Sequence, residues 1–315
     1  MNKFEQKILL PGGAGLVGQN LVARLKDRGY KNIVVLDKHR SNLAILQLTQ
    51  PDITCVYADL AQAGEWQRHF EDADVVVMLQ AQIGGIDYSD FQRNNIDSTR
   101  LILDLVKANP RQPYLVHISS SVVVSVADDF YTRSKIEQEQ LVLASGIPCP
   151  ILRPTLMFGW FDRKHLGWLS RFMKKVPVFP IPGHGRYMRQ PLYAGDFSDI
   201  IISCIERRIA GGIYNISGHE KIDYIDIIRT IKRATGARTP IVKIPYSLFF
   251  ALIWIWSLFD KTPPFTTQQL AALSAKDEFE VSDWPGMFGV PYTPFAKAID
   301  LTFNDSRYNG IVLDF

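Results

Sequence analysis

Tyr131 and Lys135 stand four residues apart in "DDFYTRSKIEQEQ", a segment patterned as the opening of a polar helix. Residues at that spacing are neighbours on one helix face. A phenol titrates near ~10 in water, so a tyrosine accepts a proton at neutral pH only beside a cation, which a lysine one turn away supplies. Ten residues before Tyr131, the run "HISSSVVV" ends a predicted strand with Ser119, Ser120 and Ser121. A serine hydroxyl there can hydrogen-bond the substrate oxygen whose proton Tyr131 takes or returns. The chemistry is proton transfer at an alcohol or carbonyl carbon. Tyr-x-x-x-Lys also arises by chance on solvated helices, so the assignment depends on the surrounding elements.

Those elements alternate. "KILL" is a strand that enters a glycine-rich turn, and "GQNLVARLKDRG" is a helix stopped by Gly29. "NIVVLD", "DITCVYAD", "ADVVVMLQA", "PYLVHISSS" and "PCPILRPTLMFG" are further strands, separated by helical patterns such as "NNIDSTRLILDLVKANP". Strands near-continuous in Val, Ile and Leu that alternate with helices predict a parallel sheet covered on both faces. Ligands then bind beyond the carboxyl ends of the strands, where the three serines fall. Gly12, Gly15 and Gly18, with Leu16 and Val17 between them, lie between the first strand and the first helix. Glycines there permit a tight turn and close approach of a pyrophosphate to the helix N-terminus. Asp37 closes the second strand, where a carboxylate accepts from ribose hydroxyls. This favours NAD over NADP, although Lys38 or Arg40 could neutralise a 2′-phosphate.

The 315 residues suffice for two lobes, and 47% apolar with 21% charged residues is ordinary globular composition. A net charge of +3 and a pI near 8.6 suit an anionic substrate and give no reason to expect nucleic acid. Cys55, Cys149 and Cys204 have no pairing or zinc motif, so no metal is expected and a reducing compartment is. The start, "MNKFEQKILLPGG", has no apolar signal core, which predicts a cytoplasmic protein. Residues 1–158 read as the cofactor-binding domain, completed by parts of 190–216, and 159–315 mainly as a substrate lobe. Residues 159–191, rich in Gly, Pro and aromatics, read as an insertion over a cleft.

Taken in order, "PGGAGLVG", "YAD" at Asp59, "VVVMLQAQ", "NNIDST", "SSS", "YTRSK" and "LRPTLMFG" resemble the extended short-chain dehydrogenase/reductases, the NAD-dependent epimerase/dehydratase proteins of sugar nucleotides. The resemblance runs from about residue 7 to about 303. It implies a Rossmann-type α/β fold, a doubly wound parallel sheet with a smaller, discontinuous C-terminal substrate lobe. It further implies that Gly12, Gly15 and Gly18 hold the pyrophosphate and Asp37 the adenosine ribose. Asp59 and Leu60 would lie by the adenine, with Leu79 and Ala81 along the cofactor. Ser121, Tyr131 and Lys135 would be the catalytic set, supported by Asn95, with Lys135 also on the nicotinamide ribose. Arg153 and Pro154 would lie near the nicotinamide, and Arg189 would grip the substrate diphosphate.

Departures narrow the reaction. The 4,6-dehydratases of this family carry an Asp-Glu pair where this chain has Val122 and Val123, so elimination of water is not expected. Two redox outcomes remain, a C4 epimerase working through a transient keto sugar and a reductase of a 4-keto sugar. The preference for NAD favours the epimerase. Some relatives are non-catalytic assembly subunits, in which the Tyr–Lys pair is eroded; here it stands. The run "PYSLFFALIWIWSLFD" is too short to span a bilayer, so residues 247–259 form either a buried helix or a peripheral one at the inner face of the membrane. The tail resembles the branch that includes epimerases of polyprenyl-diphosphate-linked sugars, which makes a lipid-linked sugar an alternative substrate. Relatives commonly dimerise through two helices, so "NNIDSTRLILDLVKA" and "YTRSKIEQEQLVLA" could form a homodimer interface.

Overall fold

A computed structural model describes residues 3–125, 128–259, 267, 270, 273 and 282–314. In chain order the strands begin with β1 (Ile8–Pro11), β2 (Ile33–Asp37), β3 (Thr54–Tyr57), β4 (Val75–Met78), β5 (Tyr114–Ile118) and β6 (Ile151–Pro154). The short β7 (Met157–Phe158), β8 (Phe179–Pro182), β9 (Met188–Arg189) and β10 (Leu192–Tyr193) follow, then β11 (Ile213–Ile216), β12 (Ile222–Asp223) and β13 (Ile241–Ile244). Seven of them form one sheet in the order β3-β2-β1-β4-β5-β6-β11, every pair parallel. The chain leaves β1 towards β2 and β3, then crosses back to β4 on the other side. A crevice opens at that reversal, beyond the carboxyl ends of β1 and β4.

Helices cover both faces of the sheet and build the smaller lobe. They include α1 (Leu16–Asp27), α2 (Arg40–Thr49), α3 (Tyr88–Phe91), α4 (Ser98–Ala108), α5 (Phe130–Ala144), α6 (Leu166–Lys175), α7 (Ala194–Arg207), α8 (Tyr224–Thr235) and α9 (Tyr246–Phe259). Side chains alternate along a strand. Ile8, Leu10, Val75, Val77 and Val116 therefore pack on α1 and α7, through Leu21, Val22, Leu25, Phe197 and Ile201. Leu9, Val76, Met78 and Leu115 pack on α4 and α5, through Ile102, Val106 and Val142. Each such side chain, taken fully out of water, contributes about 1.5–3 kcal/mol. This two-sided burial is why the strands read as unbroken apolar runs. The stretch 190–216 contributes α7, which lies along α1, and β11, the edge strand beyond β6.

The smaller lobe has its own core. β8 pairs in parallel with β13, and Phe158, Met173, Phe179, Ile181, Ile228, Ile231 and Ile299 pack together behind them. The stretch expected to be an insertion therefore supplies regular elements, α6 and β8. Its dense prolines fall on β8, "FPIP", whose one paired neighbour among the described residues is β13. Proline is tolerated at such a sheet edge. Residues 247–259 lie within α9. Its Ile253 is buried, whereas Leu248, Leu252, Leu258 and Phe259 are exposed, so α9 is not a buried core helix.

Candidate functional site

The glycine turn divides into two kinds of glycine. Gly12 has φ +75°, and a Cβ on it would fall 2.4 Å from the Gln80 backbone; one on Gly18 would fall 2.1 Å from the Gly13 carbonyl. These two are glycines because strand and helix backbones meet there. A Cβ on Gly15 would come no nearer than 3.9 Å to any protein atom. Packing does not require that glycine; it leaves the α1 N-terminus open to the cleft. Gly15 caps α1 without a side-chain bond, and the first turn carries no acidic residue. The helix thus presents backbone N–H groups and the positive end of its dipole, a fit for a pyrophosphate.

Asp37, buried at the end of β2, accepts from the Ala14 amide at 3.0 Å and from the His39 amide at 3.0 Å. It ties the glycine turn to β2 while lining the cleft. The neighbouring cations are engaged elsewhere. Lys38 Nζ donates to Asn94 Oδ1 at 2.8 Å, and the Arg40 guanidinium lies 3.7 Å from the centre of the Tyr57 ring. Lys38 lines the cleft beside Asp37, and the Asp37 carboxylate at the end of β2 favours NAD over NADP. Asp59, Leu60, Leu79 and Ala81 line the same cleft, whose volume is about 510 Å³. The Asp59 carboxylate also pairs with Arg93 and accepts from Ala61 N at 3.2 Å.

At the other end of the cleft stand Ser119, Ser120, Ser121, Tyr131, Lys135 and Pro154. Ser121 starts a one-turn helix, and Asp129 caps α5 by accepting from Thr132 N at 2.8 Å. That cap starts α5 just before Tyr131, so the tyrosine and Lys135 share its cleft-facing side. Burial pushes the Tyr131 phenol up, a hydrogen bond with the Ser120 hydroxyl pulls it partly back, and Asp129 adds to the rise. Lys135 is 1% exposed; burial draws it down to about 7, opposed by Glu139. Its ammonium donates to the Ile118 carbonyl at 3.1 Å and to Gln138 Oε1. The hydroxyl that lowers the phenol is Ser120, with Ser121 also on the cleft wall, and Lys135 is held by Ile118 and Gln138. A strand end fans successive side chains apart, which the serine run alone could not resolve.

Three expected site residues lie outside the cleft wall. Asn95 is fully buried in a π-helical turn, Gln92–Asp97, between α3 and α4. Its Oδ1 accepts from Gln82 N at 2.6 Å, and its Nδ2 donates to Gln82 O at 3.1 Å and to Ser134 Oγ at 2.9 Å. It is a positioning residue. Arg153 forms a buried pair with Glu139: Nε reaches Oε2 at 3.0 Å, and Nη2 binds Oε1. Ser119 Oγ donates to the same carboxylate at 2.5 Å. A buried carboxylate recruits the nearest cation, and this demand outweighs a ligand contact. Arg189 lies in β9 and donates to Met188 O at 2.7 Å and to Leu273 O. Arg189 is not among the residues that line this cleft.

The sequence reading missed Gln82, Ile83, Thr155, Leu156, Met157 and His165, which also line the cleft. The available signal was position, because all follow the carboxyl ends of β4 and β6. Asp162 sets His165 in place, accepting from Lys164 N and His165 N at 2.9 Å each.

A doubly wound sheet places a phosphate-binding turn and a tyrosine–lysine pair in one crevice, the arrangement of a dinucleotide-binding α/β fold. The chain belongs to the NAD dependent epimerase/dehydratase family, whose model matches residues 8–217. Over 262 residues it is 26% identical to the trifunctional UDP-glucose 4,6-dehydratase/UDP-4-keto-6-deoxy-D-glucose 3,5-epimerase/UDP-4-keto-L-rhamnose-reductase of Arabidopsis thaliana, which covers 72% of this chain and 39% of that protein. The chain spans about two fifths of the length of the curated relatives it matches first. Its fold is similar to that of the Bordetella bronchiseptica enzyme WbmF in complex with NAD+ and UDP, with TM-score 0.72, 18% identity and coverage of 95% of this chain and 91% of that one. It is also similar to UDP-glucuronic acid 4-epimerase from Bacillus cereus in complex with NAD, with TM-score 0.64, 23% identity and coverage of 86% and 95%.

Proposed function

We propose that the chain is a C4 epimerase of a sugar carried on a diphosphate, either a nucleotide or a lipid diphosphate. The carrying observation is one continuous cleft that joins the open α1 N-terminus at Gly15 to Ser121, Tyr131 and Lys135. Bound NAD would supply a reversible hydride acceptor at the sugar carbon. Tyr131 would take the hydroxyl proton and return it, and Ser120 and Ser121 would orient the oxygen. Lys135 would meet the cofactor ribose and, when charged, favour the ionised phenol. Val122 lines the cleft where a dehydratase needs carboxyls, which supports redox chemistry without elimination. A similar solved structure, that of a UDP-glucuronic acid 4-epimerase, supports this substrate class.

A second reading, an NAD(P)H-dependent reductase of a 4-keto-6-deoxy sugar nucleotide, has one observation in its favour. A phenol pushed up by burial rests protonated, which suits a proton donor. In either case residues 1–158 with α7 and β11 would form the cofactor domain, and most of 159–315 the substrate lobe. A cytoplasmic setting fits three unbridged cysteines. Pairing of two copies would use α4 and α5, where Ile136 and Leu143 are exposed.

The test is to denature the purified protein and quantify the nucleotide it releases. Near-stoichiometric NAD+ or NADH supports a cofactor kept for recycling, hence the epimerase. Protein that emerges empty and binds NADH or NADPH reversibly supports the reductase. Protein that binds neither nucleotide overturns both.

A further inference from the structure

Charge is divided unevenly along this chain. Residues 163–195 hold seven Lys and Arg and no Asp or Glu, and residues 227–259 hold five and none. That leaves 23 Lys and Arg against 32 Asp and Glu elsewhere, so a basic part sits within an otherwise acidic protein. The fold gathers both segments into the smaller lobe. α6 and β8 come from the first, most of α8 with β13 and α9 from the second, and β8 pairs with β13 residue by residue.

From this basic lobe rises α9, whose fourteen residues include no charge. A helix that is apolar all round is normally buried on all sides. Here one narrow seam turns inward, at Ile253. Leu248, Leu252, Ile255 and Phe259, spaced to share a face, are 51%, 50%, 47% and 87% exposed. Trp254 and Trp256 are each more than half exposed. The exposed cations Lys243, on β13, and Arg186, three residues after Gly183, belong to the two segments that meet at the start of α9, where Tyr246 packs near Gly183. Among the described residues no helix is long and apolar enough to cross a membrane. α9 would extend about 21 Å, against a hydrocarbon thickness of about 30 Å.

We propose that α9 and the basic surface at its base dock this chain on an anionic lipid surface. The exposed apolar side chains enter the region between headgroups and acyl chains, where tryptophan is favoured. The exposed Lys and Arg of the two segments meet anionic headgroups, and neither segment carries a carboxylate of its own to oppose them. A second protein copy fits less well, because two such basic surfaces repel one another.

The test is co-sedimentation of the full chain with vesicles, either of phosphatidylcholine alone or containing about a quarter phosphatidylglycerol. The expected result is binding to the anionic vesicles, weakened about tenfold between about 0.05 M and about 0.5 M salt. Leu252→Glu with Ile255→Glu abolishes it, and Lys243→Glu with Arg186→Glu weakens it severalfold. Both variants keep wild-type thermal unfolding and NAD binding. Failure to bind either vesicle, or equal binding to both, overturns the proposal. So does a dimer that Leu252→Glu with Ile255→Glu dissociates without any vesicle binding, which would make this face an interface between copies.

Discussion

Asn95 Nδ2 donates to Ser134 Oγ at 2.9 Å, and that hydroxyl donates to the Tyr131 carbonyl at 2.8 Å. The same asparagine brackets the backbone of Gln82 on the cleft wall. One buried amide therefore ties a loop after β4 to the first turn of α5, and with it the backbone of Tyr131. Asn95→Leu should lower turnover about tenfold while changing the NAD dissociation constant less than threefold, since the residue orients a helix and touches no ligand. It should also destabilise by about 2–4 kcal/mol, because Gln82 and Ser134 lose buried partners. Comparing kcat with cofactor binding by fluorescence decides it; a selective loss of affinity would count against the positioning role.

The two kinds of glycine should respond differently. Gly18→Ala forces a Cβ against the Gly13 carbonyl and should destabilise the fold by several kcal/mol, on the order of an overpacked core. Gly15→Ala meets no protein atom within 3.9 Å, so its melting temperature should stay near wild type while NAD affinity falls at least about tenfold. Thermal unfolding and cofactor titration of the two variants separate the effects. Equal affinity in Gly15→Ala would mean that the pyrophosphate does not lie there.

Lys135 carries a pH signature. Its folded value is drawn from 10.5 down to about 7, so the folded chain binds that proton less tightly than the unfolded chain. The penalty is full below pH 7, shrinks as pH rises, and is gone above 10.5. Nucleotide-free wild type should therefore gain on Lys135→Met by about 4 kcal/mol between about pH 6 and about pH 10. Urea unfolding of both proteins across that range measures it. A constant difference would show that the lysine is not desolvated.

Arg153 should matter to stability and little to the cofactor. Arg153→Met leaves the Glu139 carboxylate, 5% exposed, without its cation, for a loss of about 3–5 kcal/mol. Adding Glu139→Gln should recover much of that, because the stranded charge is gone. If Arg153→Met instead weakens NAD binding at unchanged stability, the guanidinium reaches the cleft.

The sequence alone carried everything set by local pattern. Apolar runs at strand length, helical spacing between them and Gly12, Gly15 and Gly18 between β1 and α1 are enough for the sheet and the phosphate turn. Those signals depend on backbone geometry and two-sided burial, and both are written in consecutive residues. Tyr131 and Lys135 fall on one side of α5 for the same reason. Tertiary packing alone decided where the long polar side chains end. Arg153, Arg189 and Asn95 each have several rotamers that could reach a ligand, and the choice fell to the nearest buried carboxylate, carbonyl or amide. It also decided that α9 turns Ile253 inward while Leu248, Leu252, Ile255 and Phe259 stay exposed, and that two acid-free segments far apart in the chain meet as one basic lobe. Burial and charge neighbourhoods are sums over residues distant in sequence, so they exist only once the chain has folded.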